Sequence, residues 1–540
     1  VYKRQILHYE DKYIPMERKD TRMTLPMKKV ATSQFHDYYE AQLQMHLICL
    51  RYFFEFTDMQ GEKVYYGNYE FDKECITNRD RMFDCPQNLR EEEMFEVPQW
   101  AANKVVYQIF PSRFAATQPV DKELWYKAPI TPMDDLHGNL RGIIEHLDYI
   151  KDLGIDVVYL TPIFKSNSCH KYDTIDYYQV DPSFGTTEDL KELVKKSHER
   201  GMKVVLDAVY NHTGREFFAF QDILEKGEKS KYLDWYFIDE LPPRGEWGEI
   251  PNFKCFGYYG GMPKLNLKNP EVEKYITDVA CYWIKECDID GWRLDVGDEI
   301  SHFFWKNFRK AIKAVKKDML IIGEIWHYAG DFLEGDEWDT VMNYPFYLNL
   351  IDLLADEKIN VSQFVQNLGY LKGRLNKKCY PLMWNLIDSH DTARFLHLCH
   401  DNKKKQHLAA AFQLLLPGMP MVYYGDEYAM PGANDPDCRR GMYWDEEYQD
   451  KEMYNWYKKL MQIRKAHACI VEGEMIKTIT NDDDDTIVMI RKNGEETIAM
   501  LFNCGSSVKE FNEYAEKYNL LTDSAFDGKV EGLDAAVIVL

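Results

Sequence analysis

The sequence predicts an α/β fold: a (β/α)8 TIM barrel with a subdomain inserted after strand 3, flanked by N-terminal and C-terminal β-sandwich domains. Three observations predict it. Eight short apolar runs alternate with amphipathic helical stretches between about residues 104 and 466. Most runs are apolar enough to be buried on both faces, as parallel strands are. No Gly-rich phosphate loop follows the first run, which sets aside the nucleotide-binding open sheets that share the alternation. The domains then fall at 1–102 (N-terminal sandwich), 103–466 (barrel, with its insertion at about 212–266) and 467–540 (C-terminal sandwich).

In chain order the runs are Val105–Phe110, Val157–Leu160, Val204–Leu206, Gly291–Leu294, Leu320–Ile322, Thr340–Met342, Leu382–Ile387 and Met421–Tyr424. Helices between them have legible ends. Thr186 and Asp189 are spaced as a capping box ahead of Leu190, Leu193 and Val194, and Gly201 closes that helix. Asn269 and Pro270 read as N-cap and N1 of another, whose stripe is Val272, Ile276, Val279 and Trp283. The stretch from Asn211 to Asn266 is too long for a βα loop and holds twelve aromatic residues between Phe217 and Tyr259, which marks the inserted subdomain. At the ends, Leu47–Phe56, Lys63–Tyr66, Thr486–Ile490 and Thr497–Leu501 read as strands of small sandwiches, the N-terminal one short.

Composition narrows the partners. Of 540 residues, 89 are acidic and 66 basic, for a formal charge of −23, which disfavours nucleic acid and anionic membrane surfaces. A neutral ligand suits that balance, and the 14% aromatic content is one way to hold such a ligand, although core packing accounts for aromatic residues at least as well. The most apolar long stretch, Leu408–Tyr424, is broken by Gln413, Pro417, Gly418 and Pro420, so no membrane span is expected. Twelve cysteines without a C-x-x-C pair read as reduced thiols; with no signal-peptide pattern, a cytoplasmic protein is expected.

In a parallel barrel, functional side chains follow the C-terminal ends of strands. Four runs are followed by, or end in, clusters of the right kind: Asp207-Ala208-Val209-Tyr210-Asn211-His212, Arg293-Leu294-Asp295, Gly323-Glu324-Ile325-Trp326-His327, and Asp388-Ser389-His390-Asp391-Thr392-Ala393-Arg394. Taken singly, such an Asp is more often a helix N-cap. A metal cluster uses the same residue types, but these four clusters hold no H-x-x-x-H or D-x-D spacing. Four clusters on one barrel mouth fit glycoside cleavage, which needs a carboxylate nucleophile, a carboxylic acid, and groups that hold sugar hydroxyls. Arg293 is placed to hold Asp295 ionised by lowering its pKa, and Trp326 to give Glu324 an apolar neighbour that raises its pKa.

These four segments resemble the four signature regions of the alpha-amylase family (glycoside hydrolase family 13). Met262-Pro263-Lys264-Leu265-Asn266 is similar to a fifth region of the branch containing neopullulanase, cyclomaltodextrinase and maltogenic amylase, as are Ser168–Thr174 and Asn434–Arg440. The resemblance implies Asp295 as nucleophile, Glu324 as general acid/base and Asp391 as the third carboxylate. It implies Arg293 as the group orienting Asp295, with His390, His212, Asp207, His170 and Tyr172 around the cleaved bond. Asp435 and Arg439 would bind the next sugar toward the non-reducing end. Trp326, Phe256 and Tyr259 would serve the acceptor side, although core packing explains the last two equally well.

The implied activity is retaining hydrolysis of α-1,4-glucosidic bonds in cyclomaltodextrins, maltooligosaccharides, pullulan or starch, with transglycosylation as a companion reaction. The alternatives are an oligo-1,6-glucosidase or α-glucosidase, against which the Met262–Asn266 motif speaks, and a non-catalytic glucan-binding barrel, against which the three carboxylates speak. The partner is a neutral α-glucan, with a homodimer through the N-terminal domain. No cofactor is required; Asn211 occupies a position that binds structural Ca2+ in many alpha-amylases, although this branch commonly lacks that site. Two departures stand out: Val296-Gly297-Asp298-Glu299 adds an acidic residue after the nucleophile region, and Tyr328 follows His327 where an acidic residue is common.

Overall fold

The computed structural model describes residues 2–15, 21–43, 48–86, 95–245 and 248–540, which form two units: residues 1–95 with 365–374, and residues 96–364 with 375–540. In the first unit a sheet runs in the order Met23–Pro26, Tyr2–Asp11, Cys49–Asp58, Lys63–Tyr66, Phe71–Asp72, with Phe83–Pro86 also pairing Cys49–Asp58. Leu47, where a strand is predicted to open, lies outside the described residues. One sheet face packs Phe53, Tyr65, Ile76 and Met82 together. The hairpin Lys28–Thr32/Asp37–Glu40 completes the β-structure of this unit.

The second unit is built on eight parallel strands: β1 (Val106–Ile109), β2 (Val157–Leu160), β3 (Lys203–Ala208), β4 (Gly291–Leu294), β5 (Leu320–Gly323), β6 (Thr340–Val341), β7 (Trp384–Asn385) and β8 (Met419–Tyr423). Each apolar run of the sequence overlaps one of them, with β3, β5 and β8 extending past their runs. The order is β6-β5-β4-β3-β2-β1-β8-β7, and a parallel bridge from Met342 to Trp384 closes the ring. The interior is filled by Val106, Val157, Tyr159, Val205, Ile322, Trp384 and Met421, so the barrel is a packed core and not a pore. β7 is much shorter than its run. Tyr380–Leu382 makes a helical turn, and the Asn385 side chain leaves the ladder to accept from Asn343 and donate to the Pro417 carbonyl.

The helix ends follow local chemistry. The Thr186 hydroxyl accepts from Asp189 N–H while the Asp189 carboxylate accepts from Thr186 N–H, a complete capping box for Thr187–Glu199. Such a cap stabilises a helix by about 1 kcal/mol. Asn269 caps Pro270–Cys287 by a single bond, its side-chain oxygen accepting from Glu271 N–H, with Pro270 at N1. Because the strands are parallel and the connections are helical, every segment that follows a strand emerges at one mouth. Two of these segments are long. The β2 connection carries the hairpin Phe164–Lys165/Asp176–Val180, and the β3 connection carries the aromatic subdomain, with helix Phe218–Lys226 over Trp235, Tyr236 and Phe253.

The C-terminal segment forms an antiparallel sheet in the order Glu474–Asn481, Thr486–Asn493, Glu496–Asn503, Asp534–Val539, Tyr518–Asn519, Ser524–Ala525. Its inner face, with Val488, Leu501 and Ile538, packs on Phe511, Phe526 and Val530, which flank or lie on the two-stranded Lys509–Glu510/Lys529–Val530 layer. Among the described residues, no helix is long and apolar enough to cross a membrane.

Candidate active site

At the mouth, one fully buried guanidinium gathers four carboxylates. Arg293 points inward from β4, and its Nη1 lies 3.0 Å from Asp207 Oδ1 and 2.8 Å from Asp295 Oδ1. Its Nη2 lies 2.9 Å from Glu324 Oε2 and 3.9 Å from Asp391 Oδ2. The ends of β3, β4, β5 and β7 supply these groups. Their backbones are held by the ladder itself, since Asp295 N–H donates to Ala208 O and Glu324 N–H to Leu294 O.

Val296 has φ 47°, a left-handed conformation that is strained for a β-branched residue. The strain has a visible result: the Val296 N–H is aimed at Glu324 Oε2 at 2.9 Å. Glu324 Oε1 accepts from the Trp326 indole N–H at 3.2 Å, while the Trp326 ring stacks on Tyr344 at 3.9 Å. The predicted apolar neighbour of Glu324 is thus a hydrogen-bond donor toward it, and its ring face is committed elsewhere.

Four acids around one arginine control protonation. Burial pushes Asp295 well above the usual carboxylate range; Arg293 opposes this, but Glu324, Asp207 and Asp391 add to it. Arg293 does depress Asp295, as expected, but burial outweighs it and the three other acids add to the rise. Asp207 is pushed up to about 6 by burial, against the pull of Arg293 and the Tyr159 hydroxyl. Burial lowers His170, takes His212 down to about 3, and drives His390 well below its ordinary value with help from Arg439 and Arg293. The three rings are neutral hydrogen-bonding groups at pH 7.

Their bonds form an ordered chain. Tyr172 Oη donates to Asp207 Oδ2 at 3.0 Å and is bonded to His390 Nε2, whose ring lies parallel to the Tyr172 ring. The other His390 nitrogen, Nδ1, meets the Gln108 amide at 2.8 Å. With Tyr172 donating to Asp207, His390 carries its proton on Nε2 and Nδ1 accepts from Gln108. Gln108 is absent from the predicted site. It is the polar residue inside the apolar run of β1, and that break in pattern was the available signal.

His170, Tyr172, His212, Phe256, Asp295, Glu324, Trp326, Asp391, Asp435 and Arg439 line a cavity of about 340 Å3, together with Met262 and Val296, which were not predicted. That volume suits a small-molecule site. Asp207, Arg293 and His390 stand behind it as the layer that holds the lining in place. Arg439 pairs with Asp435 at 2.7 Å, donates to the His390 carbonyl at 2.8 Å, and reaches Asp391 at 3.5 Å. Phe256 stacks on His212 at 5.1 Å. Tyr259 does not line the cavity; its ring lies over Gly261.

The model matching residues 108–473 is that of the alpha-amylase catalytic domain, and the model of the alpha-amylase N-terminal Ig-like domain matches residues 2–87. The chain belongs to the alpha-amylase family. It is 42% identical over 519 residues to a cyclomaltodextrinase of Geobacillus thermopakistaniensis, covering 94% of this chain and 88% of the relative. A cyclomaltodextrinase of Thermoanaerobacter pseudethanolicus is 46% identical over 453 residues, 83% and 78% of the two chains. The solved structure of a cyclomaltodextrinase superposes with a TM-score of 0.93 at 36% identity, covering 99% of this chain and 94% of that one.

The calcium position open to an alpha-amylase does not fit a metal here. Asn211 Oδ1 accepts from the Lys264 ammonium, which also pairs with Glu299 Oε2 at 2.9 Å. A fixed positive charge on that oxygen repels a divalent cation, and Ca2+ needs six or more oxygens. Among the described residues, no group of three His, Cys, Asp or Glu side chains is placed to hold a metal.

Proposed function

We propose that the protein is a retaining α-glucan hydrolase that cleaves α-1,4-glucosidic bonds of cyclomaltodextrins and maltooligosaccharides. The observation that carries this reading is the set of four carboxylates on one buried arginine at the floor of a cavity flanked by aromatic and neutral imidazole rings. Asp295 and Glu324 sit on the two Nη atoms of one guanidinium, which makes them close neighbours. That favours double displacement, with carboxyl groups about 5–5.5 Å apart, over the wider spacing that admits a water between them.

In the first step Glu324 gives its proton to the glycosidic oxygen while an Asp295 oxygen attacks C1. The C1–O bond breaks and a β-glucosyl ester forms. Water then attacks C1, Glu324 takes its proton, and the ester opens to the α-anomer; a second sugar in place of water gives transglycosylation. Asp391 and Tyr172, the latter held from behind by His390 and Asp207, bind hydroxyls of the distorted ring, with Asp391 adding negative charge near the developing cation. Trp326 and Phe256 offer ring faces or edges to the acceptor. The protein supplies both carboxyl roles, so the reaction takes no metal.

The test is Asp295→Asn and Glu324→Gln, assayed on maltoheptaose and β-cyclodextrin. Each should lower kcat by about 1000-fold or more. A variant that keeps a tenth of the wild-type rate would sink its assignment. Comparing rates on β-cyclodextrin and isomaltose ranks the α-1,4 reading against an α-1,6 one.

A homodimer through the N-terminal unit belongs to the same proposal. Tyr52, Phe54, Phe56, Tyr66, Phe71 and Phe83 meet in ring contacts on one sheet face, and none of them is fully buried. A patch of this kind is a recurrent protein contact. Sedimentation equilibrium should give twice the chain mass, and Phe71→Asp should shift it toward the monomer. A cytoplasmic setting is supported by the twelve cysteines, all of them free thiols.

A further inference from the structure

Behind the cavity lies a second carboxylate cluster that the chemistry above does not use. Asp388 follows β7, while Asp426 and Glu427 follow β8, and all three are buried. Glu427 is well served: Oε1 accepts from Tyr107 Oη at 2.5 Å and Tyr149 Oη at 2.6 Å, and Oε2 from Gly425 N–H at 2.9 Å. The aspartates are served on one side only. Asp426 Oδ1 accepts from Arg394 Nη1 at 2.9 Å, and Asp388 Oδ2 from Phe395 N–H at 2.7 Å. Asp388 Oδ1 and Asp426 Oδ2 remain buried with no protein N–H or O–H upon them, and each carboxyl group is the other's neighbour across the two strand ends.

Ionised carboxylates only accept hydrogen bonds, so a bond between two of them requires a proton on one. The surroundings favour that proton. Burial raises both groups, and Asp388 and Glu427 drive Asp426 well above the carboxylate range against the single opposing charge of Arg394. Tyr457, from helix Lys451–Ala466, Tyr347, from helix Tyr344–Leu350, and Tyr107 also face the pair, and burial raises all three phenols far above neutrality.

Asp426 therefore grips both ends of one loop, Asp388 through the shared proton and Arg394 through the ion pair. The middle of that loop presents Asp391 to the cavity and sets His390 behind it. Arg394 further ties the loop to the Tyr424 and Cys438 carbonyls at 2.8 and 3.1 Å. We propose that Asp388 and Asp426 hold one proton between them in the core, and that this pair acts as the positioning device for the loop carrying Asp391. Its effect on rate rests on the role given to Asp391 above; the proton itself can be read separately.

Two variants and two readouts test this. In Asp388→Asn the amide oxygen can keep the Phe395 N–H while its NH2 donates to Asp426, so the bond survives without a titrating proton. Infrared spectra of protein labelled with 13C-aspartate should show, at pH 7, a protonated-carboxyl band in wild type that loses intensity in Asp388→Asn, with kcat on maltoheptaose little changed. Asp388→Ala removes the bond and should lower kcat about 100-fold with KM nearly constant. Equal protonated-carboxyl intensity in wild type and Asp388→Asn would overturn the shared proton, and wild-type kcat in Asp388→Ala would overturn the positioning role. If Asp388→Ala does not fold, the Asn variant still decides through its band and its rate. A wild type inactive on every glucan would instead refute the functional reading and leave the infrared result standing.

Discussion

Strand β4 has one aspartate just before it, Asp290, and another just after it, Asp295, both buried and surrounded by charge of opposite sign. At the bottom of the barrel, Asp290 meets His198 at 2.7 Å, Lys203 at 2.9 Å and Lys316 at 3.0 Å, and accepts Val204 N–H at 2.9 Å. Burial alone would raise its pKa, yet these partners take it down to about 2. At the mouth burial drives Asp295 up, and there one arginine shared with three other acids does not offset it. The same residue type on one strand is a stabilising anchor where cations outnumber it and a poised reactive group where acids do. That division matches the barrel's division into a stability face and a chemistry face.

The largest way to break this comparison is to remove the cation at the mouth. Arg293→Met leaves three buried acids, Asp207, Asp295 and Glu324, without that counter-charge, which should cost about 3–5 kcal/mol of stability and nearly all activity. Thermal unfolding at pH 5 and pH 8 measures the first part. The loss should be greater at pH 8, because uncompensated carboxylates are tolerated only when protonated. An equal loss at both pH values would mean that Arg293 acts mainly through packing.

A smaller and sharper test makes the same substitution at both ends of β4. The depressed pKa of Asp290 stabilises the fold above about pH 4, the unfolded value, and that stability is lost as pH falls toward 2. A shift of nearly two units corresponds to about 2–3 kcal/mol. Asp290→Asn should therefore lower stability by about that much at pH 7, with the deficit shrinking below pH 4. Asp295 has the opposite sign. A raised pKa favours the fold below the unfolded value and works against it as pH rises through the folded value. Asp295→Asn should then raise stability at pH 7 while abolishing turnover, the trade expected of a strained reactive site. Parallel urea titrations of the two variants decide it; shifts of the same sign would refute the contrast.

Much of this was legible beforehand for a physical reason. Parallel strands buried on both faces announce themselves as short apolar runs, and topology alone puts whatever follows them at one mouth. That is how Asp207, Asp295, Glu324 and Asp391 could be grouped while lying 184 residues apart from first to last. Distances among side chains were not legible. Nothing in the spacing says that Gln108 sets the proton on His390, that Val296 adopts a positive φ, or that Tyr259 turns onto Gly261 while Phe256 reaches the cavity. The spacing of Arg293 and Asp295 carries the lowering that Arg293 exerts, but not the burial that outweighs it or the three other acids that add to the rise. The Asp388–Asp426 contact was hidden for the same reason: each residue looks like an ordinary strand-end acid until the two loops are brought together.

The smallest expected effect lies beside the mouth, where an ammonium stands in for a metal. Lys264 Nζ bonds Asn211 and Glu299, and it is only partly exposed. A resident Ca2+ would add stability through binding, so removing it would lower Tm by several degrees. With Lys264 in that position, an excess of chelator should change neither Tm nor kcat, and added Ca2+ should change neither. Lys264→Met should cost about 1 kcal/mol, since Glu299 and the Asn211 carbonyl lose their shared donor. A chelator-induced fall in the Tm of the wild-type protein would show that a divalent ion, and not Lys264, holds these two oxygens together.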